Sequence, residues 1–424
     1  MSLPGRRAFL GACGAGAGLM LAGCASEILP KTSRRVVVVG GGFGGAVAAK
    51  YVRLLDPGIE VILIERHRQY VACPFSNHVI TGRRELSTLA LNYDALAARY
   101  GIRLLFAEAT AIDPDGQTIH TTAGKLRYDR LILSPGIDFR VEEIAGYDPA
   151  TTPELLPHAW HAGSQTLLLK RQIDAMPDNG SVLISIPLAP YRCPGAPYER
   201  ACLIAAYLQR HKPRARIIML DANPEIVALG AQFRRAWTTR YPGMIDYQPA
   251  MRVTEVDAKS RTLRVESMLD FRADVVNLIP PQRAGKLALA AGLTDSNRHW
   301  CPVEATTFES TRHGNIHVIG DAALAGAMPK SGYAANSQAK ICAINTVALI
   351  NGKPPHALAG LNVCYAAIGE EEDVSIAQVF QVTNGKIVAV ANTGTTSPVD
   401  LSTARIEHRY AESWLNNILA EMSA

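Results

Sequence analysis

No two cysteines of this chain stand as C-x-x-C, and none of the six beyond residue 30 has the spacing of a zinc site. No metal centre is therefore expected. Charge is also scarce. Charged residues make up 19% of the 424 positions, and the net charge is only +5. Lys and Arg are scattered, with no basic stripe interleaved with aromatics, which argues against nucleic acid as a partner. Past the N-terminus no run is long and apolar enough to span a bilayer, and no repeat of solenoid period is visible. What remains is a globular chain with 48% apolar residues, long enough for two or three domains with ample core.

The first 30 residues read as a targeting segment. Arg6-Arg7-Ala8-Phe9-Leu10 resembles a twin-arginine export motif, and a Gly/Ala-rich apolar stretch follows to Gly23. Leu21-Ala22-Gly23-Cys24 resembles a lipobox, whose cysteine would carry a lipid anchor. An ordinary signal peptide cut before Lys31 is the other reading. Either one places the mature chain in the periplasm, where widely spaced cysteines can form a disulfide.

The organising stretch is Val36–Lys50, VVVVGGGFGGAVAAK. Four β-branched residues predict a strand buried on both faces. Gly40, Gly42 and Gly45 then stand in G-x-G-x-x-G spacing before a small-residue helix, the arrangement that brings a pyrophosphate to a helix N-terminus. A second strand, Glu60–Ile64, ends at Glu65, where a ribose-binding carboxylate belongs. A helix is predicted over Leu86–Tyr100, strands over Arg103–Ala107 and Asp129–Leu133, and a linker over Pro149–Pro157.

A second β-α-β pattern follows: strand Ser181–Ile186, helix Glu199–Arg210, strand Ala215–Leu220. Its turn, Pro187–Glu199, holds four prolines and one glycine, so the backbone cannot approach a pyrophosphate in the usual way. The second unit is expected to keep the scaffold and to have lost NAD. Late in the chain, Asn315–Ala322 (NIHVIGDA) resembles the flavin-binding GD motif, and Pro329–Gln338 opens a helix to Leu349. The tail adds strands Ser375–Val382 and Lys386–Asn392 and a final helix, His408–Met422.

Taken with RCPGAPYERA, NLIPPQRAGK, CPVEATTFES, MPKSGYAANSQAK, LNVCYA and SWLNNI, these motifs resemble the flavoprotein subunit of flavocytochrome c sulfide dehydrogenase, a relative of sulfide:quinone oxidoreductases. The resemblance implies an α/β fold with two Rossmann-like domains of the glutathione-reductase type, FAD-binding over 34–150 and 286–352 and NAD-like over 165–285. It also implies a C-terminal α+β interface domain over 355–424. It implies FAD, held by Gly40, Gly42, Phe43, Gly44, Gly45, Glu65, Arg66, Asn77, Pro135, Gly136, Gly320, Asp321, Lys330, Gly332, Tyr333 and Trp414. Cys73 matches the cysteine that carries the flavin through a thioether, although Pro74 follows it where the family commonly has tyrosine.

The same resemblance assigns the catalytic group. Cys193 and Cys364 match a redox-active disulfide beside the flavin, and Glu199 a nearby carboxylate. Hydrosulfide would open the disulfide, the electron pair would pass to the flavin, and a c-type cytochrome subunit would take it on. The helix start after Cys193, together with Arg192, is expected to lower the Cys193 thiol's pKa. Cys202, Cys301 and Cys342 read as structural.

Overall fold

The computed structural model describes Leu29, residues 34–357 and residues 359–423. The export motif and Cys24 lie outside the described residues.

The first sheet is fully parallel, in the spatial order Ile316–Val318, Arg130–Leu133, Arg35–Val39, Glu60–Glu65, Arg103–Phe106. The four valines supply its central strand. Val37 and Val39 pack into one core with Ile62, Ile64, Leu131 and Leu133. Val36 and Val38 pack into another with Val61, Leu63 and Ile132. Successive side chains of a strand point to opposite faces, so an unbroken apolar run serves two cores at once. From the central strand the chain goes to one side first and returns later to the other. The crevice at its carboxyl end is the switch point where such sheets bind ligands, and the glycine turn sits there.

The second sheet repeats the plan in the order Ile245–Gln248, Arg216–Asp221, Ser181–Ile186, Val275–Leu278, again all parallel. The Cys193 turn stands at its switch point. The third element of architecture is antiparallel: Gly360–Ala367 pairs with Asp373–Thr383, which pairs with Lys386–Ala389 and Thr395–Thr396. The helix Ala404–Ser423 buries Ala411, Leu415, Ile418 and Leu419 in the core shared with the first sheet.

Three local expectations change. The segment read as a helix over Leu86–Tyr100 is a 3₁₀ turn Leu86–Leu89, a strand Ala90–Asn92 and a helix Asp94–Tyr100. The strand pairs with Gln69–Val71, and the Asn92 side chain accepts from the Asp94 N–H at 3.1 Å in the turn that leads into the new helix. The linker contains a helical turn, Thr152–Leu155. A helix at Gly230–Arg240, with no apolar periodicity strong enough to announce it, covers the second sheet through Phe233 and Trp237.

Candidate active site

The glycine turn is built by contacts that only glycine permits at two positions. Gly40 has φ +94°, and a Cβ there would lie 2.3 Å from the Ser134 carbonyl oxygen. A Cβ on Gly45 would lie 1.8 Å from the Gly40 carbonyl. The turn therefore closes on itself and on the Ser134–Gly136 segment, with Pro135 directly behind Gly285. Gly42 and Gly44 complete the turn, and Phe43 packs its ring beside Tyr70, centroids 5.7 Å apart. Glu65 accepts from the Gly41 N–H at 2.7 Å and from the His67 N–H at 3.0 Å, while Arg66 is exposed beside it.

The other end of the crevice is the GD segment. The Gly320 N–H donates to Gln338 Oε1 at 2.8 Å. Asp321 keeps a buried carboxylate oxygen, Oδ1, that has no hydrogen-bond partner among the described residues. Burial raises its pKa, against the pull of Arg192 and Lys330. An unpaired buried carboxylate oxygen costs free energy unless a donor meets it. A polyhydroxyl chain running from the pyrophosphate turn meets that requirement, so the residues present fit a flavin dinucleotide.

Lys330 stands behind this segment. Its Nζ donates to the Asp321 and Ala323 carbonyls at 2.7 and 2.9 Å and lies 3.7 Å from the centre of the Trp300 ring. Burial brings its pKa down to about 8. Its carbonyl accepts from the Cys193 N–H at 2.7 Å. Lys330 thus ties the GD segment to the Cys193 turn. Gly332, in the first turn of the helix Gly332–Ile350, lies against Phe43. Tyr333 stacks on Trp414, centroids 6.3 Å apart, and Tyr365 meets Trp414 at 6.0 Å.

Cys193 adopts φ +57°, a left-handed conformation uncommon outside glycine. It and Cys364 are both partly buried thiols, and each is close enough to Glu199 to be affected by its charge. Cys193 also faces Cys364 and Cys73. Cys364 donates to Asn362 Oδ1 at 3.5 Å, and the same oxygen accepts from Ser331 Oγ at 2.6 Å. Cys73 faces the Trp160 carbonyl at 3.9 Å. The three cysteines come from three distant parts of the chain: Cys73 and Cys193 lie near Arg192, and Cys364 lies near Cys193. That guanidinium is opposed by burial and kept charged by Cys73, Asp321, Tyr70 and Cys193.

The expectation of a lowered Cys193 pKa is corrected. Burial, Cys364 and Glu199 push the thiol well above its ordinary value, and Arg192 only partly offsets them. The sequence shows the neighbouring arginine and the helix start. It does not show the desolvation, which is the largest influence.

Glu199 is pushed up to about 7 by burial. Asn77 Nδ2 donates to its Oε2 at 2.8 Å, and the Ala367 N–H to its Oε1 at 3.3 Å. The Asn77 side chain, expected on the cofactor, is bonded to the helix Ala196–His211 through Glu199, the Ala196 carbonyl and Arg200. Arg200 was not anticipated. Fully buried, it donates to Asn77 Oδ1, Asn277 Oδ1 and the His158 and Ala159 carbonyls at 2.7–3.0 Å, and burial lowers its pKa to about 10. Its sequence signal is a cation at the start of an otherwise apolar helix face. Asp221, at the strand end where an NAD-binding fold keeps its ribose carboxylate, is fully buried and accepts from Tyr198 OH at 2.7 Å, Tyr247 OH at 3.0 Å and Asn223 Nδ2 at 2.7 Å.

A glycine turn at one switch point, an unpaired buried carboxylate after another strand of the same sheet and thiols at the second switch point define a flavin-dependent oxidoreductase of the two-nucleotide-fold class. Residues 34–162 match the pyridine nucleotide-disulphide oxidoreductase model. Residues 166–280 match the central part of the sulfide dehydrogenase (flavocytochrome c) flavoprotein chain, and residues 357–422 the flavin-binding part of flavocytochrome c sulphide dehydrogenase. A sulfide dehydrogenase (flavocytochrome c) flavoprotein chain of Chlorobaculum thiosulfatiphilum is 64% identical over 47 residues, which is 11% of this chain and 98% of that sequence. The chain belongs to this family. The sulfide-quinone reductase of Aquifex aeolicus (strain VF5) is 31% identical over 105 residues, 24% of each chain. In the solved sulfide:quinone oxidoreductase of Aquifex aeolicus, 92% of this chain overlays 91% of that one with a TM-score of 0.72 at 19% identity, a likeness of fold.

Proposed function

We propose that this flavoprotein oxidises hydrogen sulfide to sulfane sulfur through a Cys193–Cys364 disulfide and FAD, and that a c-type cytochrome subunit accepts the electrons. The observation that carries the reading is the meeting of Cys193, Cys364 and Glu199 at the second switch point. Bound FAD would supply a two-electron acceptor able to release electrons singly. Gly40–Gly45, Glu65 and Asp321 would hold it, and Cys73 would anchor it covalently.

The chain's own groups account for the rest. Hydrosulfide attacks one sulfur of the disulfide; the S–S bond breaks, a new S–S bond forms, and the products are a persulfide and a thiolate. Glu199, near 7, is matched to accept the persulfide proton at neutral pH. With Asp221 bonded to Tyr198, Tyr247 and Asn223, the second fold has no free ribose carboxylate, which supports a reductant other than NADH. We further propose export to the periplasm, with Cys24 as a possible lipid site.

The test is anaerobic titration of the purified protein with sulfide while flavin absorbance is followed. Stoichiometric bleaching is expected, lost in Cys193→Ser and Cys364→Ser. Unchanged bleaching in either variant sinks the disulfide assignment. The reduced protein should then reoxidise faster with a c-type cytochrome than with a soluble quinone; the opposite order would favour a quinone as acceptor.

A further inference from the structure

Lys330 and Ser331 are neighbours at the start of the helix Gly332–Ile350, and between them they reach both members of the thiol pair. The Lys330 carbonyl accepts from the Cys193 N–H at 2.7 Å. Ser331 Oγ donates to Asn362 Oδ1 at 2.6 Å, and that oxygen also receives the Cys364 thiol at 3.5 Å. The same Oγ accepts from the Ala334 N–H at 3.0 Å and so caps the helix. Two cysteines from distant parts of the chain are therefore held from one dipeptide.

The Lys330 side chain fixes where that dipeptide stands. Its Nζ bonds the Asp321 and Ala323 carbonyls at 2.7 and 2.9 Å and lies 3.7 Å from the centre of the Trp300 ring. Ala323 and Trp300 share one frame: Ala323–Leu324 pairs in parallel with Cys301–Pro302, and Trp300 directly precedes that strand. On its other flank the Cys193 turn is held by Gln282, whose Oε1 accepts from the Arg192 N–H at 2.8 Å. A non-glycine residue at φ +57° persists only where its surroundings over-determine it, and the Lys330 carbonyl is one of the groups that do so for Cys193. We infer that Lys330 and Ser331 are positioning residues for the sulfide reaction: Lys330 sets Cys193, Ser331 sets Cys364 through Asn362, and the Lys330 ammonium registers both sulfurs against the GD segment. This rests on the sulfide-oxidising reading given above. No bond is made or broken on either side chain; both act through the groups they hold.

The charge on Lys330 matters to the grip. Two carbonyl oxygens and a ring face favour an ammonium, while burial opposes it and brings the pKa down to about 8. The titratable groups that face it are Asp321, Cys301 and Asp295. Cys301, pushed up to about 12 by burial, is neutral at that pH. Above about 8 the amine has one N–H fewer and no charge to hold on the ring, so the anchor of the dipeptide slackens.

The test uses the full-length holoprotein in anaerobic stopped flow with sulfide, at pH values below and above 8. Below 8, Lys330→Met should bleach its flavin about tenfold more slowly than the parent, a loss of the kind that small misplacement of reacting groups brings. The parent-to-variant ratio should fall towards one above 8, where the parent's own Lys330 has lost its proton; the ionisation of sulfide is common to both and cancels. A ratio near one below 8, or a ratio that does not change with pH, overturns the proposal. Ser331→Ala should slow bleaching without altering the pH profile, and Ser331→Thr should restore it; a Ser331→Ala variant as fast as the parent overturns the assignment of Ser331. A second measurement needs neither sulfide nor a variant. Hydrogen exchange at the Cys193 amide of the parent, read by mass spectrometry, should rise above pH 8 faster than base catalysis alone requires; a rise that base catalysis accounts for overturns the anchor. A parent that does not bleach overturns the sulfide reading, and the exchange measurement still decides the anchor.

Discussion

Asn77 and Glu199 share a 2.8 Å hydrogen bond across 122 residues of sequence. It joins the loop of Cys73 to the helix that follows Cys193, and it pulls the Glu199 pKa down while burial holds it up near 7. The partly buried carboxyl therefore keeps its proton in the fold at a pH where a free carboxyl, with a value of 4.5, has lost it.

The sign of the resulting pH dependence follows. Between about 4.5 and about 7 the native chain binds more protons at this site than the unfolded chain, so the stability contributed here is full below that range and lost as pH rises through it. Glu199→Gln is neutral throughout. Its urea midpoint should pull ahead of the parent's between pH 5 and pH 7.5, by on the order of 1–3 kcal/mol after allowance for solvent access. A gap that is the same at both pH values would contradict the raised pKa.

Asp321→Asn should act with opposite signs on the two forms of the protein. The unpaired Oδ1 is a buried charge that costs stability, so the FAD-free chain should gain thermal stability. FAD affinity should fall about tenfold, the value of one charge-assisted hydrogen bond of about 1.5 kcal/mol. Fluorescence titration with FAD of apoprotein in which Cys73→Ser prevents the thioether measures the second effect, and differential scanning calorimetry the first.

Arg200→Met should destabilise the fold by about 3–5 kcal/mol, because four buried acceptors lose their donor together. Flavin content should hold up better than stability, since none of those acceptors belongs to the glycine turn. A thermal midpoint within a degree or so of the parent's would show that the network relaxes on to other donors.

Cys73→Ser should leave a yellow protein that loses its colour on denaturation in acid, whereas the parent's precipitate keeps it. Parent protein that releases all its flavin would remove the thioether. Pro74 would then be the first residue to examine.

Legibility followed the range of the interactions. The turn Gly40–Gly45, Glu65, the GD segment and the Cys193 turn are local patterns whose backbone demands are written in adjacent residues, so the sequence placed them at the carboxyl ends of two parallel sheets. The Asn77–Glu199–Arg200 network and the Ser331–Asn362–Cys364 chain join residues that no periodicity relates. Asp221 illustrates the same limit: its position at a strand end was legible, but not its capture by Tyr198 and Tyr247. The direction of the Cys193 pKa was misjudged because burial, the largest influence on it, is set by packing from distant segments and not by the neighbouring Arg192 or the helix start. The break in the Leu86–Tyr100 segment came from a pairing with Gln69–Val71, decided by the partner strand and not by the segment's own residues.

Cys193 belongs to the middle of the chain, whereas Cys364 and the Asn362 that receives its thiol belong to the last strands to be made. A chain cut short before those strands would hold only one member of the thiol pair, and it would also lack the C-terminal helix that completes the core on the first sheet. Under the proposed disulfide mechanism, a prematurely terminated product would be unable to draw electrons from sulfide.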